Sequence, residues 1–167
     1  TYRRPFVAED RRGKVFAFDV TGRADGAPLH LAAEVRVHED TGMLRVEGTD
    51  LQLGGALTEA VLGSETTRDG LGMVWRWLRP RGTADVTVDV PIGEAPRPLR
   101  LLATLKGASF SLDAEGSPDP LTIVDVRGTI AAEGERVELR DLRGRLADEG
   151  EVRIEGFVDG GLDGTWD

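Results

Sequence analysis

The stretch LHLAAEVRVHED, residues 29–40, decides the fold because its apolar and polar side chains alternate. One side of the stretch is entirely apolar and comprises Leu29, Leu31, Ala33, Val35 and Val37. Successive side chains of a β-strand point to opposite faces, so this period of two predicts a strand with one buried face. The residues that follow, Asp40, Thr41 and Gly42, predict a turn into the next strand.

The same alternation flanks this stretch on both sides. KVFAFDV (14–20) precedes it, and MLRVEGTDLQL (43–53) follows it. In 43–53 the apolar parity changes across Gly48, Thr49 and Asp50. A turn or bulge at these three residues would return the apolar side chains to one face.

Alternation resumes after Arg81 and continues almost to the end of the chain. Further strands are predicted within 82–92, 99–106, 108–116, 121–134, 136–142 and 151–158, where Gly107 separates the second of these runs from the third. Short connections rich in Gly, Pro and Asp separate the runs, which repeat about every ten residues. We therefore predict a mainly β fold, an antiparallel meander of about ten strands. Because no linker divides the pattern, residues 1–167 form a single domain.

Residues 56–79 interrupt the strand pattern. Leu71, Val74, Trp75 and Leu78 follow the i, i+3, i+4, i+7 spacing of an amphipathic helix, and Pro80 would end it. We predict one helical insert in this region.

Composition and charge exclude several functional classes. The net charge of −9 would repel nucleic acid and anionic membrane surfaces. The chain has no cysteine, so disulfides, thiolate nucleophiles and Cys-based metal sites are excluded. No apolar run is long enough to span a bilayer. The abrupt ends, TYRRPF and DGTWD, suggest an excerpt of a longer chain, so a membrane anchor would lie outside this segment.

The residues do not suggest catalysis. His30 and His38 are eight residues apart, which is about 26 Å along a strand and too far for a shared metal ion or a proton relay. The many carboxylates alternate with neutral or basic residues, as on a solvated face. We therefore predict no enzyme activity, no catalytic residue, no metal site and no cofactor.

A sheet with one apolar face must cover that face. The sheet could fold over as a β-sandwich, close as a barrel, or curl into an open groove completed by an apolar ligand. Only 5% of the residues are aromatic, so no bulky aromatic centre for a sandwich stands out. The open groove is the preferred interpretation. The alternative is a β-sandwich with a closed core, serving adhesion or scaffolding.

One region resembles a known family. Residues 126–160 resemble the repeating hairpin unit of the AsmA-like and TamB-like proteins of bacterial envelopes, whose strands carry a v-x-l-x-x-l-x-G pattern. The matching positions are Gly128, Val137, Leu139, Leu142, Gly144 and Gly156. Residues 43–55 and 101–116 resemble looser copies, and 75–90 resembles the helix-to-strand junctions of these proteins. The resemblance implies a repeating β-groove in the periplasm, held by an inner-membrane anchor outside this segment, which moves phospholipid between the two membranes.

On this interpretation the partners are phospholipid, or another acyl-chain ligand, and neighbouring β-groove segments of the same chain. The head group would stay outside, and the acyl chains would slide along the apolar lining. The lining residues would be Val86, Val88, Val90, Leu101, Leu105, Val124, Val126, Ile130, Val137, Leu139, Val152 and Ile154. Trp75, Trp77 and Arg79 would form a groove entrance, where the arginine could hold a lipid phosphate.

Overall fold

A computed structural model describes residues 6–10, 13–55, 78–93, 98–112, 120–134, 136–146 and 150–158. These residues form nine β-strands. The strands are β1 (Phe6–Asp10), β2 (Gly13–Ala24), β3 (Ala27–Arg36), β4 (Thr41–Leu53), β5 (Gly82–Gly93), β6 (Arg100–Leu112), β7 (Leu121–Glu133), β8 (Arg136–Leu146) and β9 (Glu151–Val158).

The strands form one antiparallel sheet in chain order, from β1 at one edge to β9 at the other. The predicted meander is therefore confirmed, with nine strands in the described ranges where the sequence analysis expects about ten. A β-sandwich would need a second sheet packed on the first, and the described strands all belong to one open sheet. The helical insert predicted for 56–79 lies outside the described residues except for Leu78 and Arg79.

The predicted irregularity in β4 is a β-bulge. The pairing register between β4 and β5 shifts between Gly48 and Leu51, and Asp50 has a φ of 55°. The extra residue places Leu51 on the same face as Val46, which keeps the apolar face continuous. A side chain at Gly48 would overlap that of Leu51, so the glycine provides the space for the bulge.

Three later strands contain bulges of the same kind. The register shifts at Gly107 in β6, next to Asp125 in β7 and next to Asp141 in β8, and all three residues have positive φ. A short aspartate side chain tolerates this left-handed conformation better than most residues. In β7 and β8 the bulge falls in the same pattern, DVRG at 125–128 and DLRG at 141–144. Each bulge bends its strand and increases the local twist of the sheet.

The apolar face of the sheet is buried to different extents in its two halves. On β5 to β8 the side chains form a core in which Ala84 and Ala108 are fully inaccessible and Phe110 is 1% exposed. Leu53 of β4 and Leu78, from the connection between β4 and β5, belong to the same core. We call the apolar side chains of β5 to β8 the closed half.

The same face continues on β2 to β4. There Ala27, Ala33, Leu51 and Leu53 are buried, but the larger side chains farther from the core are only partly covered. We call this surface the open half, and it comprises Phe16, Phe18, Val20, Leu29, Leu31, Val35, Leu44 and Val46. Phe16 is 39% exposed, and its ring packs edge-on against Phe18 at 6.4 Å between centroids. The sheet therefore presents solvent with an apolar surface on one side of a buried core.

Candidate functional site

The predicted lining residues lie on one face of the sheet, with one exception. The register pairs Val88 with Leu101, and Leu142 of the core with Ile154. Continuing these pairings across β5 to β9 places eleven of the twelve residues on the apolar face. The eleven are Val86, Val88, Val90, Leu101, Leu105, Val126, Ile130, Val137, Leu139, Val152 and Ile154.

Val124 is the exception, and its predicted place in the lining is wrong. It pairs with Arg145, whose side chain is exposed, so it lies on the polar face. The cause is the bulge next to Asp125, which separates Ile123 and Val126 by three residues while keeping both on the apolar face. An uninterrupted alternation through Val124 therefore gives the wrong face.

Most of the predicted lining is core in this structure. Six of its members are no more than 6% exposed, namely Val88, Leu101, Leu105, Val126, Ile130 and Val137. The other five on this face, Val86, Val90, Leu139, Val152 and Ile154, are partly buried and pack against the core. These side chains stabilise the fold, and the six buried ones offer almost no surface to a ligand.

On the apolar face, the more accessible surface is instead the open half, which the predicted lining omits. Its central strand, β3, contains residues 29–36 of the alternating stretch, and its side chains lie between those of β2 and β4. Val37, predicted on the buried face of this strand, lies instead in the turn after β3 and is 59% exposed. The same alternation that identified Leu29, Leu31 and Val35 as one face could have placed them in the lining. Their partial exposure, in contrast, has no counterpart in the sequence pattern.

Charged pairs on the polar face hold the strands behind the open half together. His30 of β3 lies 3.2 Å from Asp19 of β2 through Nε2 and 3.3 Å from Glu47 of β4 through Nδ1. The hydrogen bond to Asp19, followed by the one to Glu47, raises the pKa of His30. His30 of β3 therefore links β2, β3 and β4.

A second pair connects β4 to β5. Arg45 donates two hydrogen bonds to Asp89, from Nε at 2.6 Å and from Nη2 at 2.9 Å. This bidentate contact lowers the pKa of the Asp89 carboxyl, against the opposing effect of its burial. The pair therefore links β4, a strand of the open half, to β5, a strand of the closed half.

The structure describes little of the predicted groove entrance. Trp75 and Trp77 lie outside the described residues. Arg79 is exposed and has a φ of 41°, whereas the preceding residue, Leu78, is buried in the core. The entrance prediction therefore stays a prediction.

The described ranges show neither a metal-binding cluster nor a membrane-spanning helix. Within them, no group of three or more His, Asp or Glu side chains is arranged to hold a metal ion. No helix among these residues is long and apolar enough to cross a membrane.

No protein-family model, curated protein or solved structure matches the chain. The resemblance to AsmA-like and TamB-like proteins therefore stays a prediction.

Proposed function

We propose that this chain is a non-enzymatic segment of a bacterial envelope protein, and that its apolar face binds the acyl chains of phospholipid. The observation that supports the proposal most directly is the open half. It is an apolar surface that continues from the core of a single sheet and is not fully covered. Exposed apolar surface of this kind marks binding sites for apolar ligands or partners.

The dimensions of the open half suit an acyl chain. From Leu29 to Val35 along β3, six residue steps cover about 20 Å. One leaflet of a bilayer has a hydrocarbon thickness of about 15 Å, half of the total. Each methylene group transferred from water to such a surface contributes about 0.8 kcal/mol when fully buried.

The proposed mechanism is passive. The apolar side chains of β2 to β4 are aliphatic or phenyl groups without hydrogen-bonding atoms, so they bind a chain without fixing it at one point. Similar affinity along the face lets a lipid slide, with its head group in water. The resemblance supports a periplasmic setting, in which neighbouring segments of the same chain extend the face and an anchor outside this segment reaches the inner membrane.

The second candidate function is a scaffold or adhesion module that binds no lipid. The burial of the closed half favours it, since Val126, Ile130 and Leu142 are at most 2% exposed and make a core without any ligand. On this alternative the open half would be covered by protein.

A matched pair of leucine substitutions separates the two candidates. Leu31→Asp places a carboxylate on the open half, whereas Leu102→Asp places one on the polar face, where Leu102 is 44% exposed. We expect the wild-type domain, purified gently and analysed by native mass spectrometry and lipid extraction, to carry phospholipid in stoichiometric amounts. Leu31→Asp should lose it, because a charge within an acyl-binding surface is costly. Leu102→Asp should retain it.

Phe16→Asp repeats the test at a more exposed position of the open half, in case Leu31→Asp does not fold. Lipid retained by folded Leu31→Asp and Phe16→Asp proteins would contradict the proposal. A wild-type domain that is monomeric, unfolds cooperatively and carries no lipid would favour the scaffold or adhesion function.

A further inference from the structure

A row of cations crosses the polar face of the last four strands. Lys106 of β6 is directly opposite Arg127 of β7, which is opposite Arg143 of β8, which is opposite Arg153 of β9. All four side chains are exposed. Like charges on directly opposed residues of neighbouring strands destabilise a sheet. The row therefore needs negative charge close to it.

Carboxylates satisfy three of the four cations. Lys106 contacts Asp50 at 2.9 Å and Asp85 at 2.7 Å. Arg143 and Arg153 share one carboxylate, that of Asp141, at 3.0 and 3.2 Å. Arg153 also contacts Glu155 at 3.2 Å.

Arg127 is the fourth cation, and it has no carboxylate partner within the described ranges. Its neighbours in register on both sides, Lys106 and Arg143, are themselves cations. Arg143 uses its Nε and Nη2 atoms to bind Asp141, which leaves its Nη1 group without an acceptor among the described atoms. Arg127 and Arg143, which are opposite each other on β7 and β8, thus both have N–H donors that bind no acceptor among the described atoms.

A surface depression of about 790 Å³ lies at this place. Three arginines line it, Arg127, Arg143 and Arg145, together with the glycines 128, 144 and 150. Three carboxylates also line it, so its formal charges balance. Asp125 binds Arg145 and Asp141 binds Arg143, whereas Arg127 has no carboxylate contact among the described residues.

We propose that Arg127 and Arg143 form a binding site for a phosphate-class oxyanion on the polar face of β7 and β8. A guanidinium group presents paired N–H donors that match two oxygens of a phosphate group. An anion between the two side chains replaces their mutual repulsion with attraction. The site faces away from the apolar face and does not rest on the proposed function. Its ligand is either free phosphate or a lipid head group.

The decisive variant is Arg127→Gln, and its matched control is Arg100→Gln. Arg100 is an exposed arginine of the same polar face that already binds Glu133 at 2.6 Å. We expect inorganic phosphate, titrated at constant ionic strength against chloride and followed by calorimetry or ³¹P line broadening, to bind the wild type saturably. Arg127→Gln should weaken binding by about tenfold or more, because a charge-assisted contact is lost. Arg100→Gln should bind like the wild type.

Stability in the absence of phosphate provides a check on folding. Arg127→Gln should unfold at the same temperature as the wild type or higher, because the substitution removes a like-charge contact. Arg127→Lys should bind phosphate more weakly than the wild type, because it keeps the positive charge but loses the planar guanidinium group with its paired N–H donors. Absence of saturable phosphate binding, or equal binding by a folded Arg127→Gln protein, would overturn the proposal.

Vesicle flotation then distinguishes the two sources of phosphate. Arg127-dependent binding to phosphatidic acid vesicles, with none to phosphatidylcholine vesicles, supports the site and assigns it to a lipid head group. Arg127-dependent binding of inorganic phosphate without vesicle binding supports the site and assigns it to a free phosphate compound.

Discussion

Lys106 of β6 contacts Asp50 of β4 at 2.9 Å, and in doing so reaches across the strand between them. On that middle strand Asp85 is a second acceptor for Lys106, at 2.7 Å, and also accepts a hydrogen bond from the Asp50 backbone N–H at 3.0 Å. Asp50 is the bulge residue of β4. The bulge is thus stabilised by charged side chains of β5 and β6, and two other bulge aspartates also have a cross-strand partner: Asp125 binds Arg145 of β8, and Asp141 binds Arg153 of β9.

Removal of the Lys106 charge should raise the pKa of Asp85. The hydrogen bond from Lys106 is the largest cause of the lowered pKa of this carboxyl. In Lys106→Met, ¹³C NMR titration should show the Asp85 pKa returning toward its ordinary value. The pKa of Asp89, which Arg45 lowers, should not change. An unchanged Asp85 pKa would mean that the ion pair does not persist in solution.

His30 should make stability depend on pH near neutrality. Its pKa is raised in the folded protein by the hydrogen bonds to Asp19 and Glu47. The facing charged groups are Asp19 and Arg23 on β2, and Arg45 and Glu47 on β4. A raised folded-state pKa stabilises the protein fully below about pH 6.5, and the contribution is lost as pH rises through the folded value.

The difference in melting temperature between wild type and His30→Gln should therefore decrease from about pH 5 to about pH 8. His38→Gln is the control, because His38 lies in the exposed turn after β3. A difference for His30→Gln that stays constant over this range would argue against the three-strand link.

Leucine truncation should report the difference between the two faces. Leu142→Ala removes a side chain that is 1% exposed in the core and should reduce the free energy of unfolding by about 2 to 5 kcal/mol. Leu102→Ala, on the polar face, should change it by less than about 0.5 kcal/mol. Urea unfolding of both variants measures these values. Equal losses would show that the burial of the two faces is not as described.

Two glycines should respond differently to the same substitution. A Cβ at Gly128 would lie 2.5 Å from the Asp141 carbonyl oxygen and 2.8 Å from the Leu142 Cα, and Gly128 has a φ of 131°. Gly128→Ala should destabilise the domain by about 1 to 3 kcal/mol through backbone strain alone. Gly156→Ala meets no atom within 4 Å and should be neutral or slightly stabilising. Thermal unfolding compares the pair, and a stable Gly128→Ala protein would exclude this close approach of β7 and β8.

The sequence predicted the antiparallel meander from residue 14 onward because alternation and short turns are local properties, but it predicted no strand at β1 (Phe6–Asp10). It also predicted a turn or a bulge at residues 48–50 from the change in apolar parity, and the structure has the bulge. The same reasoning failed at Val124, because both Ile123 and Val124 are apolar and the pattern alone did not show which of them faces the core. In β8 the v-x-l-x-x-l-x-G spacing contains the bulge, as the two residues between Leu139 and Leu142 span the register shift.

The division of the apolar face into closed and open halves could not be predicted from alternation. Alternation identifies the side chains that share a face, but the atoms that cover a face come from distant parts of the chain. Leu31 and Leu101 therefore have the same sequence pattern and different burial. The row of cations on β6 to β9 could not be predicted either, because Arg127 and Arg143 become neighbours only through the register of β7 and β8.

The uneven burial has a dynamic consequence. Because each strand is hydrogen-bonded only to its neighbours in the chain, the sheet can lose strands from an edge one at a time. The strands least anchored by side-chain packing are those near β2, and the best anchored are β6 to β8. Backbone amides should therefore exchange with deuterium earliest at the amino-terminal edge, with protection rising strand by strand toward β7. The surface proposed to receive lipid is thus also the part of the domain that opens at the lowest free energy.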